Sequence, residues 1–441
     1  MPRPRAAKFF LFASDVTPAP RPFAKKLADR GIVYAPNPAP GNKPIAAGHA
    51  YSVLAYLPEK HPPSDAPWVL PLSVERVDTT DKGSEVGPKR LCDFINNRTL
   101  AFKHKLCVHV GDTAYFTLPI RQITTSSTQL INIVRLAANR SIYAPSTEPG
   151  KRKYDKQVMK LNRPDTYDRP DQTVEIHSTT RKNNPITIEI QVWRDRLLRG
   201  SRKYKGHKHP FNLHRILVFD QKTKKPLFKR ALWLAVDGER RDELDPETIY
   251  ECYRQRYDIE HFFRFGKQRL LMDKLQTPEV THEENWWQIV QLAYVQLYLS
   301  RDLCEQIPKP WERYLPKFKQ VPEEVMSSHV NPSCAQRSFA TVLDQIGTPA
   351  ANVRKVEPGN GRAQGETQAK RTDKPILFKK NSAQKNKKEK ATPHVKGFEK
   401  QQGIPKPQKI DELIGTVKSW IAEMDVSESD LLSAFERAFA T

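Results

Sequence analysis

The sequence is short of three things, and each shortage excludes a class of protein. Only five of its 441 residues are cysteine, an odd number with no close pairs (Cys92, Cys107, Cys252, Cys304, Cys334). That pattern excludes a disulfide framework and a zinc ribbon, and it fits a reducing cytoplasm. Long apolar runs are missing as well. The most apolar stretch, residues 284–304, is interrupted by Gln288, Gln291 and Gln296, short of the roughly 18 apolar residues a membrane span needs. It reads as a core helix. Near the start, Arg3, Arg5 and Lys8 precede Phe9-Phe10-Leu11-Phe12-Ala13, but this run is shorter than the ~7–15 residues of an export signal and reads as a buried strand. Acidic charge is the third deficit. Asp and Glu number 50 against 73 Lys and Arg, a net charge of +23. Such an excess points to a polyanionic partner, nucleic acid before an acidic membrane surface.

What is present falls into blocks, with no internal repeat. Residues 1–125 hold an apolar run over 9–14 that ends at Asp15, strand-like stretches over 51–57 and 68–77, and a short helix over 89–97. A further strand over 105–111 ends at Asp112. This order suggests a mixed α/β sheet. Residues 126–236 carry β-branched and aromatic runs (131–136, 174–177, 186–192, 215–219, 230–236) split by basic loops, and read as a mostly antiparallel β-rich insertion. Trp193 and Trp233 within it are expected in a core. The block 237–282 opens a helix with Asp245-Pro246, an N-cap and first-turn proline, expected to run to about Met272.

Residues 283–347 read as a helical C-terminal region with Trp286, Trp287, Leu292, Leu297 and Leu299 as candidate core. The block 348–411 is basic: between 352 and 410 sixteen Lys and Arg face five Asp and Glu. Too few apolar residues lie there to build a core, so a flexible arm is expected. Residues 412–441 recover amphipathic order, with Ser427-x-x-Asp430 as a capping box before Leu431, Phe435 and Phe439.

On the helix after Pro246, Tyr253, Arg256, Glu260 and Lys267 share a stripe about 60° wide at 100° per residue. Charged residues so spaced are ordinarily a solvated face with ion pairs worth ~0.3–0.5 kcal/mol each. Phe262, Phe263 and Phe265 argue that this helix is not exposed all round. A carboxylate flanked by two cations along one line suits a metal and phosphate site. His261 and Arg264 are secondary candidates beside Glu260, and Asp258 reads as exposed.

Tyr253-x2-Arg256-x3-Glu260-x6-Lys267 resembles the Y-(2)-R-(3)-E-(6)-K signature of bacterial DDE transposases of the insertion sequence 4 superfamily. Two further motifs are similar to that family: Asp15-Val16-Thr17 after the first strand, and Gly111-Asp112-Thr113-Ala114-Tyr115-Phe116 after a later one. The resemblance covers roughly residues 10–300, with a weaker likeness to one subgroup's tail at Gly347-Thr348-Pro349-Ala350. It implies a ribonuclease-H-like mixed sheet interrupted by the β-rich insertion, and cut-and-paste transposition by metal-dependent hydrolysis and strand transfer. Asp15, Asp112 and Glu260 would be the catalytic and metal-binding carboxylates, holding two Mg²⁺ or Mn²⁺ ions. Hard divalent ions take oxygen ligands, and two of them about 3.5–4 Å apart serve phosphodiester chemistry. Tyr253, Arg256 and Lys267 would hold DNA phosphates, for which Arg offers a planar fork and Lys a point charge. The implied partners are double-stranded DNA, at transposon ends and target, and a second copy in a DNA-bound homodimer, with no membrane. The implied setting is a prokaryotic cytoplasm, at the nucleoid.

The sequence departs from this family in one respect. Only 14 residues precede Asp15, where relatives carry a helical domain that reads the element ends, so an N-terminally truncated copy is expected. Two other readings compete: a catalytically inactive DNA-binding remnant, and an RNA-binding structural protein suggested by charge alone. The last gives no reason for Asp112 and Glu260 to meet.

Overall fold

Strand β1 (Phe9–Pro20) organises the molecule. Its first five residues are buried on both faces, as a central strand covered on both sides requires. Phe9, Leu11 and Ala13 enter one apolar cluster, while Phe10 and Phe12 enter another on the opposite face. The period of two along a strand dictates that split.

The computed structural model describes residues 8–35, 44–60, 66–97, 105–146, 148, 150, 152–180, 183–200, 205–304, 330–346, 367 and 370–378. All lie within the first of the chain's two units, Met1–Lys379. Strands β2 (Gly31–Tyr34), β3 (Ile45–Tyr56), β4 (Leu70–Val77), β5 (Leu106–Gly111) and β6 (Leu130–Arg135) precede a small separate sheet of β7 (Ser141–Pro145) and β8 (Tyr154–Lys160). Strands β9 (Gln172–Thr179), β10 (Pro185–Arg196), β11 (Phe211–Asp220) and β12 (Leu232–Asp237) complete the main sheet. Its order is β2-β3-β1-β5-β6-β12-β11-β10-β9, with β4 also paired to β3. Strands β1, β5 and β6 run parallel and the remaining pairings are antiparallel.

Helix α1 (Gly83–Asn96) and the short α2 (Leu118–Thr124) cover the Phe10 and Phe12 face. Helices α3 (Pro246–Gln255), α4 (Tyr257–Arg269), α5 (Val280–Leu299) and α6 (Pro332–Ile346) cover the other. The fold is mixed α/β around one large mixed sheet, consistent with a ribonuclease-H-like transposase core.

Several expectations need correction. Within residues 126–236, β6 pairs with β5, β12 with β6, and β11 to β9 follow outward. The insertion strands therefore extend the central sheet. Beneath them a third cluster buries Trp193 and Trp233 with ring centres 5.8 Å apart, the core position expected of both. Strand β1 does not stop at Ser14, because β3 pairs with it as far as Pro20↔Gly48. Glycine is needed there, since a Cβ at 48 would come within 2.3 Å of the Ala19 carbonyl oxygen. The single helix expected over 246–272 is two helices broken at Arg256.

In α5, Trp287 and Leu297 are buried as expected, but Leu292 and Leu299 are 55% and 53% exposed, and Trp286 is half-buried. The apolar face that packs into the core bears Trp287, Val290, Tyr294 and Leu297. Within the expected flexible arm, residues 370–378 are tied down. Lys374 N donates to Lys25 O at 2.8 Å and Leu377 N to Arg30 O at 2.7 Å, while Arg30 Nη2 returns a bond to Lys374 O at 3.1 Å. The capping box at Ser427, the helices over 412–441 and residues 347–350 lie outside the described residues. Among the described residues no helix is long and apolar enough to cross a membrane.

Candidate active site

Strands β1 and β5 pair in parallel from Phe9↔Leu106 to Ala13↔Val110. Asp15 and Asp112 each follow that last pair by two residues. Ala13 and Val110 both belong to the cluster beneath α3–α5, so alternation turns Asp15 and Asp112 to the same face, just past the end of the parallel pairing between β1 and β5, with Asp15 inside β1 and Asp112 following β5. Asp15 Oδ1 accepts from Val16 N at 2.8 Å. Asp112 is the cap of a one-turn 3-10 helix (Thr113–Tyr115), accepting from Ala114 N at 2.8 Å. Tyr115 folds back over Gly111, where any Cβ would stand 2.8 Å from the tyrosine side chain. Gly-Asp-x-x-Tyr-Phe is thus also a folding motif: it ends a strand, reverses the chain and buries Tyr115 and Phe116.

Glu260 reaches this corner from α4. Asp245 caps α3 by accepting from Thr248 N at 2.8 Å, with Pro246 in the first turn. At Arg256 the backbone tightens to three-residue bonds, Arg256 N to Tyr253 O at 3.1 Å and Ile259 N to Arg256 O at 3.2 Å. Such a turn redirects a helix without proline. Across it the stripe still faces β1. Arg256 Nη2 donates to Glu260 Oε1 at 2.5 Å, and Nη1 stands 3.9 Å from Asp15 Oδ2. The guanidinium carbon lies 5.9 Å from the centre of the buried Tyr253 ring. Lys267 Nζ donates to Pro18 O at 2.8 Å, beside the same strand.

Asp258 is not exposed. It is buried, and Lys60 Nζ holds its Oδ2 at 2.8 Å, so it is a structural carboxylate tying α4 to the loop after β3. His261 packs edge-on to Tyr257 with ring centres 5.0 Å apart, and Arg264 is exposed.

Electrostatics ties the three candidate carboxylates together. Burial pushes the Asp15 carboxyl up to about 6; the charges of Asp112 and Glu260 push the same way, while the Val16 amide and Arg256 pull back. Lys267 is lowered, chiefly by burial. The Tyr115 hydroxyl is fully buried, lacks a hydrogen-bond partner and is raised by burial and then by Asp15 and Asp112. Among the described residues no three His, Cys, Asp or Glu side chains are close enough to cage a metal ion unaided. Instead the Arg256 guanidinium lies against both Asp15 and Glu260. The donors are all carboxylate oxygens with an excess of negative charge, a set that fits a hard divalent cation such as Mg²⁺ or Mn²⁺.

The profile of the family described as Transposase DDE domain matches residues 76–296, half of the chain. The chain belongs to that family. No curated protein matches it. The segment shared with other DDE transposases runs from β4 into α5 and contains Asp112, Tyr253, Arg256, Glu260 and Lys267, whereas Asp15 lies ahead of it. The family implies DNA as substrate and, typically, divalent metal ions for the chemistry.

Two buried networks behind this candidate site were not legible as such. Arg121 Nε pairs with Asp237 Oδ2 at 2.7 Å, both fully buried, and its guanidinium carbon lies 5.0 Å from the rings of Phe116 and Phe211. That pins the turn following Asp112 against the insertion strands. Glu283 on α5 accepts from Arg21 Nε at 3.0 Å and Tyr51 Oη at 3.0 Å, and lies 3.1 Å from His49 Nδ1. It clamps α5 to β3 and the end of β1. Nothing in the sequence distinguishes Glu283 from its neighbour Glu284, which is part-exposed at the start of the same helix.

Proposed function

We propose that this protein is an insertion-sequence transposase of the insertion sequence 4 type, cleaving and rejoining DNA strands at Asp15, Asp112 and Glu260. The observation that carries the reading is the convergence of these carboxylates: Asp15 and Asp112 each follow the Ala13–Val110 pair by two residues, and the Arg256 guanidinium links Asp15 to Glu260. Burial is the largest cause of the raised Asp15 carboxyl, and the like charges of Asp112 and Glu260, distant in sequence, add to it, an arrangement costly to a fold and useful to a cation site. Two divalent ions held by these carboxylates would supply the phosphate neutralisation and Lewis acidity that phosphodiester chemistry needs.

The chain's own side chains would do the positioning. Arg256 offers a fork for phosphate oxygens, supported from below by the Tyr253 ring, and Lys267 a point charge one helical stretch further along. Tyr253 would contact the terminal phosphate. A second copy would hold the other element end, and the large positive charge would draw both to DNA.

The test is cleavage, with Mg²⁺, of a duplex carrying the DNA that flanks the coding region. The wild type should nick it at the element ends. Asp15→Asn, Asp112→Asn and Glu260→Gln should each lose cutting by about a thousandfold or more while still retarding the duplex. Wild-type protein that binds the duplex and never cuts it would mean a catalytically idle remnant.

A further inference from the structure

We propose that Arg256 is the resident counter-ion of the carboxylate cluster and competes with divalent cations for it, so that cations gain the site only as the guanidinium withdraws. The inference rests on the reading of Asp15, Asp112 and Glu260 as the cation-binding carboxylates, and it adds a second role to a residue otherwise assigned to phosphate.

The contacts are specific. One guanidinium nitrogen donates to Glu260 at 2.5 Å and the other stands 3.9 Å from Asp15, so one cation spans carboxylates of two separate elements. Its side chain is only 14% exposed, against 21% for Asp15 and 36% for Glu260, so water screens the contact with Asp15 weakly and that with Glu260 more. A Glu260 oxygen occupied by an N–H is not free for a cation, and a guanidinium this close repels a divalent ion. The surroundings also allow departure. Arg256 sits at the break between α3 and α4, where its side chain leaves a turn and not a helix interior. A DNA phosphate is a partner the planar fork suits at least as well as a carboxylate. Phosphate capture and cation entry would then favour each other through one residue, as linkage requires.

Lys267 supplies the control. It lies within electrostatic reach of Asp15 but spends its ammonium on the Pro18 carbonyl, making no bond to the carboxylates.

The experiment titrates the DNA-free full chain with Mn²⁺ and reads the free ion by electron paramagnetic resonance, with a thermal melt of every variant. Arg256→Gln should bind Mn²⁺ about tenfold more tightly than the wild type, and Lys267→Gln less than about threefold more tightly. Arg256→Lys keeps the charge but loses the fork, and should fall between wild type and Arg256→Gln; it serves as the readout if Arg256→Gln does not fold. Affinity in Arg256→Gln equal to or below wild type overturns the proposal, as does equal tightening by Lys267→Gln, which would make the effect one of general field. If neither wild type nor Arg256→Gln binds Mn²⁺ better than Asp15→Asn/Glu260→Gln, the cation-site reading itself falls, and the proposal with it.

Discussion

Asp15 and Asp112 stand in equivalent positions on adjacent parallel strands, each two residues past the Ala13–Val110 pair. Shared parity turns both carboxylates to one face, and Glu260 comes down on that face from α4. No local preference favours so many negative charges in one half-buried corner. Arg256 offsets part of the cost, and burial, followed by the charges of Asp112 and Glu260, still leaves the Asp15 carboxyl raised.

That residue predicts its own effect on stability. The Asp15 carboxyl has a folded pKa of about 6, above its ordinary 3.8. Its contribution to stability is therefore greatest below about pH 4 and is lost as pH rises through about 6. Asp15→Asn in chelator should be more stable than wild type at pH 7.5, by about 1–2 kcal/mol after discounting for the lost contact with Arg256. The gap should narrow as the pH is lowered to 4. Differential scanning calorimetry at both pH values checks it, and a less stable variant at pH 7.5 contradicts it.

Glu283 predicts the opposite dependence. Burial pushes its carboxyl up, but His49, Arg21 and Tyr51 together outweigh burial and leave it below its ordinary 4.5. A depressed carboxylate stabilises the fold above the unfolded pKa and loses that contribution as pH falls through the folded one. Glu283→Ala, which leaves Arg21 buried without its carboxylate, should cost about 3–5 kcal/mol at pH 7 by urea denaturation. The difference between wild type and Glu283→Gln should shrink as the pH falls below 4.5 and through the lowered folded value.

The Arg121–Asp237 pair is fully buried, so its worth depends on which side is removed. Arg121→Met should destabilise by about 3–5 kcal/mol, because an uncompensated carboxylate remains inside. Arg121→Met/Asp237→Leu should cost less than Arg121→Met alone. Additive losses in the double-mutant cycle would show that the pair is not coupled.

Around Gly111 two substitutions should separate packing from polarity. Gly111→Ala forces Tyr115 off its seat and should cost more than about 1 kcal/mol. Tyr115→Phe removes a buried hydroxyl that has no partner, and should be neutral or stabilising. A large loss in Tyr115→Phe, measured by thermal melting, would reveal a partner for that hydroxyl.

Much of this was written in local sequence. The apolar run of residues 9–13 names a central strand, Asp245-Pro246 opens a helix as capping chemistry requires, and the motifs around Asp112 and Glu260 put candidates at a strand end and on a helix. Other features had no local mark. Pro18 and Pro20 argue against a strand, yet β3 and Gly48 carry β1 to Pro20. No proline or glycine announces the break at Arg256. Asp258 looks like a surface acid because nothing nearby in sequence reveals Lys60 across the fold.

Periodicity and capping by themselves determined which residues could be buried and where elements begin, since those depend on a residue and its near neighbours. Only the tertiary structure decided which face each strand presents to which helix. Pairing between distant segments sets that, and it is why Asp15, Glu260 and Arg256, separated by some 240 residues of chain, share one corner of the sheet.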